Sequence, residues 1–548
     1  MNTESTGVAI IGGGPAGLML AIELGCRGVD CMLIEEDADP PDFPKANATS
    51  ARTMEHYRRR GFSAQVRDTG LTPEHPQDVT YLTRATGYEL ARFRVPSRRQ
   101  AAERSAFGDY DEASWPTPEL PHRGQQMFIE PILRRQAQGH RSVRARFGHR
   151  VTALAHTATG TTLTVKPLTG DEYSVQARYA VGCDGPRSLA RKHLGIKYAG
   201  LGEVEREFFG GQMLSIHFRS DNLYQVIDKP RAWQYWLINR EQRGLLISID
   251  GISTFALGIQ LKKGQDEQSV DVRAALRATV GRDFDVEIIA TGTWQAGFML
   301  VADKFGEGPI MLAGDAAHLF TPTGGMGYNT SIDDVVNLGW KLAAVLRGWA
   351  PERLLETYEQ ERRPIAQRNT GFARRMADSV GNVVMPAAIE DADAAGARAR
   401  GAIGAELLAH VRSEFNIPGL QLGLRYLDSA IVAREAGAPP PDDPNVYVPS
   451  GHPGGRAPHF MMGGAPAFDQ FGPEFTLLVF DGGDPGAWAL AAAGLKIPLE
   501  TLQVGDAGAR ALYGADLCLV RPDHHIAWRG GHGADPRLTL MAAVGLGQ

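Results

Sequence analysis

The stretch IMLAGDAAHLFTPTGGMGYNTSIDDVVNLGWKLAAVL, Ile310 to Leu346, decides how the rest of the chain is read. Its short apolar run, Ile310 to Ala313, stops at Gly314-Asp315, the pattern of a buried parallel strand that delivers a carboxylate to its carboxyl end. An acid so placed can hold a ribose hydroxyl. The loop Pro322-Thr323-Gly324-Gly325-Met326-Gly327-Tyr328-Asn329 carries closely spaced glycines, so its backbone can lie against a flat or phosphorylated ligand and present bare N–H groups. Ile332, Val335, Val336, Leu338, Leu342 and Val345 then recur at helical spacing, with Thr330 or Ser331 as the expected cap. The positive end of that helix points at whatever the loop embraces, which predicts an anionic ligand.

A second acid-tipped unit opens the chain. Val8 to Ile11 meets Gly12-x-Gly14-Pro15-Ala16-Gly17, a helix runs on through Leu24, and Cys31 to Ile34 ends on Glu35. Gly12 permits the tight turn, Gly14 lets a pyrophosphate approach the backbone, Gly17 lets helix and strand pack closely, and Glu35 falls where a ribose acid belongs. Pro44 to Glu55 follows, in which Lys45 and Arg52 either neutralise phosphates or pair with acids on a solvated turn. The segment from Thr72 to Arg123 reads as a strand around Tyr81-Leu82 and a long excursion. Gln126 stands near the start of the next helix. Strand patterns at Ser142 to Phe147, Val151 to His156, Thr161 to Lys166 and Glu172 to Ala177 predict short antiparallel strands. They lead to Tyr179-Ala180-Val181-Gly182-Cys183-Asp184-Gly185-Pro186-Arg187-Ser188, another strand that ends on an acid and a glycine.

Aromatic strand patterns fill Glu207 to Phe218, Ala232 to Asn239, Gly244 to Asp250 and Phe255 to Leu261, an antiparallel sheet with one face free to cover a ligand. Alternation in Trp233-Gln234-Tyr235-Trp236-Leu237 puts Trp233, Tyr235 and Leu237 on one side and Gln234 with Trp236 on the other. Beyond Leu346 helical patterns continue to about Arg434. The proline-rich break Ala438 to Pro444 precedes a small α/β domain with strands at Phe475 to Phe480, Leu499 to Val504 and Leu517 to Arg521. The expected division is a nucleotide-binding domain in three pieces (1–75, 124–197 and 292–435), an excursion at 76–123, an antiparallel sheet domain at 198–291 and a last domain at 445–548.

Composition narrows the function. A net charge of -6 and a pI near 6.2 provide no electrostatic footprint for nucleic acid. Cys26, Cys31, Cys183 and Cys518 form no CxxC and no metal spacing, as expected of a reduced cytoplasmic protein. The apolar segment Val8 to Leu24 is broken by Gly12, Gly13, Gly14 and Gly17, which argues against a membrane span.

Together, Gly12-x-Gly14-x-x-Gly17 with Glu35, Cys183-Asp184-Gly185-x-Arg187-Ser188, and Gly314-Asp315 with Pro322, Asn329-Thr330, Asp334, Asn337 and Lys341 resemble the three fingerprints of single-component FAD-dependent aromatic hydroxylases, the class of para-hydroxybenzoate hydroxylase and phenol hydroxylase. The last hundred residues resemble the thioredoxin-like tail of the phenol hydroxylase branch, without its CxxC. The resemblance implies an α/β fold: a Rossmann-like FAD-binding domain, an inserted antiparallel β-sheet substrate domain and a C-terminal thioredoxin-like domain. It implies FAD as cofactor, NADH or NADPH as electron donor, O2 and a small phenolic substrate as reactants, with oxygen transferred from a flavin hydroperoxide. A homodimer stays open.

By the same resemblance, Gly12, Gly14, Pro15, Ala16, Gly17 and Glu35 hold the ADP half of FAD, with Lys45 and Arg52 toward its phosphates. Gln126 holds its middle, Asp315 its ribityl or pyrophosphate region, and Gly325, Met326, Gly327, Tyr328 and Asn329 the edge of the ring. Asp184 and Arg187 serve FAD and the nicotinamide donor. Asn47 stands where relatives carry a base, and an amide orients a hydroxyl but cannot take its proton. The remaining candidates for activating the substrate are the Pro322 carbonyl, His318 and Tyr235, or a substrate already rich enough in electrons. A flavin dehydrogenase or oxidase, an epoxidase or Baeyer–Villiger oxygenase, and a non-enzymatic FAD-binding protein are the alternatives.

Overall fold

The computed structural model describes residues 2–103, 108–110, 112–202, 208, 210–239 and 241–547. Its first sheet has the strand order Gly306–Glu307, Ile310–Leu312, Tyr173–Gly182, Thr3–Ile11, Cys31–Glu35, Val143–Phe147, and all neighbours but the first pair run parallel. The strands are apolar because helices cover them. The helices Pro15–Gly25 and Met326–Leu346 lie side by side, so close at Gly339 that a Cβ there would meet the Glu23 side chain at 2.7 Å. Two sequence expectations change here. Val143–Phe147 joins the parallel sheet beside Cys31–Glu35, and the stretches expected at Glu172 to Ala177 and Tyr179 to Gly182 are one continuous strand. That strand serves both the parallel sheet and the antiparallel ribbon His149–Thr157 and Gly160–Pro167.

A second sheet of seven strands runs in the order Glu287–Gln295, Gln212–Arg219, Thr254–Gln260, Arg243–Ser248, Gln234–Ile238, Val79–Leu82, Glu89–Phe93. Only Gln234–Ile238 and Val79–Leu82 pair in parallel. The excursion after Thr72 thus contributes two strands to this sheet. The strand expected from Glu207 is seen from Gln212, and 203–207 lie outside the described residues. Alternation gives the sheet two characters. Leu214, Ile216, Phe218, Tyr235, Leu237, Leu246, Phe255 and Leu257 form a rear cluster with Leu276 and Val280 of the helix Val272–Val280. Met213, Trp236 and Ile238 face the other way, toward a cluster that includes Leu407, Val411 and Phe415 of the helix Ala394–Phe415. Trp233 precedes the strand and joins this front cluster, contrary to strict alternation with Tyr235.

The last domain is a four-stranded sheet, Leu499–Gln503, Phe475–Val479, Leu517–Val520, Ile526–Gly530, with three helices. It is docked through buried charge. Arg521 donates to both oxygens of Glu361 at 2.6 and 2.8 Å, Arg456 pairs with Glu55, and Arg27 reaches Glu474 at 3.2 Å. Among the described residues no helix is long and apolar enough to cross a membrane.

Candidate functional site

Ile34, Ile11, Gly182 and Leu312 lie in one row across adjacent parallel strands. Glu35, Gly12, Asp184 and Asp315, scattered along the sequence, therefore emerge at one edge of the sheet, where open α/β sheets bind ligands. Gly12 has a φ of 101°, and a Cβ there would strike the Cys183 carbonyl. A Cβ on Gly17 would strike the Gly12 carbonyl. Gly14, at the cap of Pro15–Gly25, has nothing within 4 Å of where its Cβ would be, so the space over the helix amino end is open. Pro15 starts that helix, and Ala16 lies 3.3 Å from where a Cβ on Gly314 would be, which brings the first and third motifs together.

Three carboxylates border this recess. Glu35 accepts from the Gly13 and Asp37 N–H groups. Asp184 accepts from Leu189 N–H at 2.6 Å with one oxygen, while the other is buried without a hydrogen-bond partner. Asp315 is open to the recess, yet the protein around it desolvates its carboxyl enough to raise the pKa, with His318 and Lys45 opposing. Lys45 also opposes the burial that raises Glu130, whose carboxylate accepts from the Gln126 side chain at 3.0 Å. Gln126 N–H donates to the Ala46 carbonyl at 2.7 Å, so Gln126 adjoins the loop that carries Lys45. An anionic dinucleotide suits it: open backbone at a helix amino end, a cation, and acceptors for ribose hydroxyls.

The glycine-rich loop closes one side. Gly324 and Gly325 adopt φ of 73° and 62°, and the helix begins at Met326 with Gly325 as its cap, one turn earlier than Thr330 or Ser331. The bare amino end therefore lies in the loop itself. The Pro322 carbonyl accepts from Gly325 N–H at 3.0 Å, and Gly324 N–H donates to Glu414 at 2.9 Å. Asn329 is a clasp: its oxygen accepts from Ser50 N–H and the Thr53 hydroxyl, and its amide donates to the Ala48 and Gly325 carbonyls. Three of these four bonds hold residues 48–53 to the helix, and the fourth ties the cap of the helix itself. Met326 packs with Phe372, Ile417 and Leu420, and the Tyr328 hydroxyl bonds that of Tyr57, so neither side chain is turned to the recess alone. Gly327 lies against Phe320.

Opposite stands the front of the seven-stranded sheet. Trp236 stacks on Tyr81 at 5.5 Å and donates to Gln234 at 3.1 Å, and Trp294 donates to Ser215 at 3.1 Å. Phe43 meets the ring of His217 edge-on at 6.3 Å. His217 is 6% exposed, and both of its ring nitrogens lack a hydrogen-bond partner. Burial depresses its pKa, Asp42 and Asp250 opposing and Arg219 adding. Asn47, half-buried, lies on the loop between Phe43 and the Asn329 clasp.

Three expected site residues, Tyr235, His318 and Arg52, have their polar groups engaged away from the recess. Tyr235 is fully buried in the rear cluster, where its hydroxyl accepts from Ala232 N–H at 2.8 Å, because strand alternation turns it away from Trp236. His318 is fully buried beneath the loop and bonds Asp334 at 2.6 Å, an acid shared with Arg362 at 2.8 Å. Arg52 bonds Glu55 at 2.9 Å and the Asp523 carbonyl, which makes it a tie to the last domain. Arg187 is exposed, whereas Arg191 lies over the Tyr198 ring at 3.9 Å and Tyr198 bonds the Asp315 carbonyl. His217, Phe43 and Glu414 escaped the sequence reading. His217 occupies the polar phase of Leu214-Ser215-Ile216-His217-Phe218, which by itself reads as a solvated face.

Comparison with known proteins agrees with this geometry. Residues 5–373 match the family model described as FAD binding domain, and residues 450–547 that described as aromatic-ring hydroxylase, C-terminal. The FAD-dependent monooxygenase opdD of Penicillium oxalicum is 32% identical over 91% of this chain and 99% of its own. Phenol 2-monooxygenase of a Pseudomonas species is 31% identical over 98% of this chain and 92% of its own. The solved structure of RebC with bound 7-carboxy-K252c superposes with a TM-score of 0.88 at 32% identity, over 99% of both chains. With a match over more than half its length and a recess built for the dinucleotide, the chain belongs to the FAD-dependent aromatic-ring hydroxylases, a family of flavoprotein monooxygenases.

Proposed function

We propose that this monooxygenase hydroxylates a phenolic or closely related electron-rich aromatic compound, with NADH or NADPH as donor and O2 as the source of oxygen. The observation that carries the reading is one loop with two neighbours: Ala48 lies against Gly325 of the glycine-rich loop and its carbonyl accepts from Asn329, while Phe43 lies against His217 and Gly292 on the aromatic face. The cofactor recess and the aromatic face therefore adjoin at residues 43–48. Bound FAD supplies the redox chemistry, taking electrons from the nicotinamide and delivering one oxygen atom to the arene. Gly12, Gly14, Glu35, Lys45, Gln126 and Asp315 are the residues that would hold it. The Trp294 and Phe43 rings beside His217 border a flat substrate and keep water out, which the reaction needs if oxygen is to reach the ring rather than leave as peroxide. Asn47 orients a substrate hydroxyl.

The name of the phenol-oxidising relative supports the substrate class. The test is a panel of phenols and naphthols given to the holoenzyme with NADPH or NADH under labelled O2. Stimulated donor oxidation with one labelled oxygen in a ring-hydroxylated product is the expected result. Donor oxidation that no phenol stimulates, or product without label, overturns it.

A further inference from the structure

Among the described side chains on the front of the sheet, the His217 imidazole and the Tyr81 hydroxyl are both buried without a hydrogen-bond partner, and of the two the imidazole is the group that can take up a proton near neutral pH. The strand of His217 is paired on both sides, with Ala256 and Ala290 as its neighbours in register, and neither offers a side-chain partner. The charged groups around it are Asp42 from the loop, Arg219 on its own strand and Asp250 from the turn before Thr254. Asp250 has one of its oxygens turned to its own turn, accepting from the N–H groups of Ile252, Ser253 and Thr254. A buried imidazole has one donor and one acceptor to satisfy, and core histidines in folded proteins nearly always satisfy at least one. His318, paired with Asp334, is such a case in this chain. His217 departs from the rule at the face where Ser215, Trp294 and Phe43 converge.

We propose that His217 is the acid–base residue of the aromatic pocket, taking the proton of the substrate's ring hydroxyl. The inference rests on the phenolic reading above. In this step the substrate O–H bond breaks and its electron pair stays on oxygen as phenolate. A new N–H bond forms on the imidazole, which returns the proton to that oxygen once the ring has been oxygenated. The phenolate is the more electron-rich arene and accepts the oxygen atom faster. Burial beside Arg219 keeps the imidazole neutral before substrate binds, and the phenolate formed against it then supplies the opposite charge that stabilises the imidazolium. Asn47, which cannot take a proton, then orients while His217 ionises.

The experiment uses the holoenzyme, 4-nitrophenol as an ionisation reporter, and the most stimulating phenol of the panel. Wild-type enzyme is expected to bind 4-nitrophenol with its ionisation midpoint displaced to lower pH, read from the phenolate absorbance. In His217→Phe the midpoint returns to that of free 4-nitrophenol and product formation falls roughly 10²-fold, with FAD content unchanged as the control for folding. His217→Gln, able to hydrogen-bond but not to take a proton, is expected to keep binding and lose the displaced midpoint. Variants with wild-type midpoint and rate overturn the assignment while leaving the phenolic reading intact. A wild-type enzyme that binds no phenol and is stimulated by none overturns the phenolic reading, and the assignment of His217 with it.

Discussion

Asp315 is the acid that the recess leaves open to a ligand, and the protein packed around it raises its pKa by desolvation against His318 and Lys45. A charge-assisted hydrogen bond from the cofactor's linker to such a group is worth roughly 1.5–3 kcal/mol, about one to two powers of ten in affinity. Asp315→Ala is therefore expected to purify largely colourless, with FAD restored only at high concentration. A full flavin complement by absorbance would remove Asp315 from the cofactor site. Tyr235 gives the opposite expectation. Its hydroxyl serves Ala232 N–H within the rear cluster, so Tyr235→Phe should leave turnover and coupling unchanged and lower stability by about 0.5–1.5 kcal/mol. A loss of coupling at unchanged stability would put Tyr235 back among the substrate contacts.

At the level of elements, the segment 43–53 and the helix Met326–Leu346 act as one piece because Asn329 joins them with three hydrogen bonds, to Ala48, Ser50 and Thr53, and makes a fourth to the Gly325 carbonyl at its own helix cap. The loop carries Phe43, Lys45 and Asn47, so the clasp sets the spacing between the aromatic face and the cofactor recess. Asn329→Ala strands two carbonyls, the Ser50 N–H and the Thr53 hydroxyl in a buried place. It is expected to weaken FAD binding and to raise the peroxide released per donor oxidised, since an oxygen-transfer site tolerates little misplacement. Peroxide yield equal to wild type would show that the loop is held by other contacts. Glu414 does the same for the other end, fixing Gly324 N–H from the helix Ala394–Phe415.

For the whole molecule, the last domain is held by charges that are removed from water. Glu361 is fully buried, with its pKa pulled down to about 2 by Arg521 and Lys341 against the burial that opposes them. Glu55 is likewise pulled down to about 2, chiefly by Arg456. Removing one member of such a pair leaves a buried charge uncompensated, at a cost of roughly 3–5 kcal/mol. Arg521→Ala should lower the melting temperature sharply and expose the junction of the last domain to proteolysis. Resistance to protease equal to wild type would argue against this docking. The same acids set an acid limit. Their pKa values are depressed in the folded state, so the stability they contribute is complete above the unfolded value of 4.5 and is lost as pH falls from there toward about 2. Denaturation midpoints measured between neutral pH and pH 3 should fall steeply through that window, and less steeply in Glu361→Gln, whose side chain no longer titrates.

What the amino-acid sequence determined by itself was the set of acid-tipped strands and the glycines beside them. Gly12, Gly17, Glu35, Asp184 and Asp315 were legible because tight turns and buried strands impose residue types at fixed local spacing. The antiparallel sheet was legible from its alternation for the same reason. Tertiary structure alone decided which face of that sheet looks toward the cofactor. Alternation separates Tyr235 from Trp236 but does not say which side is covered by a rear helix and which by the loop with Phe43. It also decided the fate of Arg52 and His318, whose partners Asp523 and Asp334 are brought close only by folding. His217 stayed hidden on the same ground: a histidine in the polar phase of a strand reads as solvated until the fold lays Phe43 and the loop over it and leaves both nitrogens without a partner.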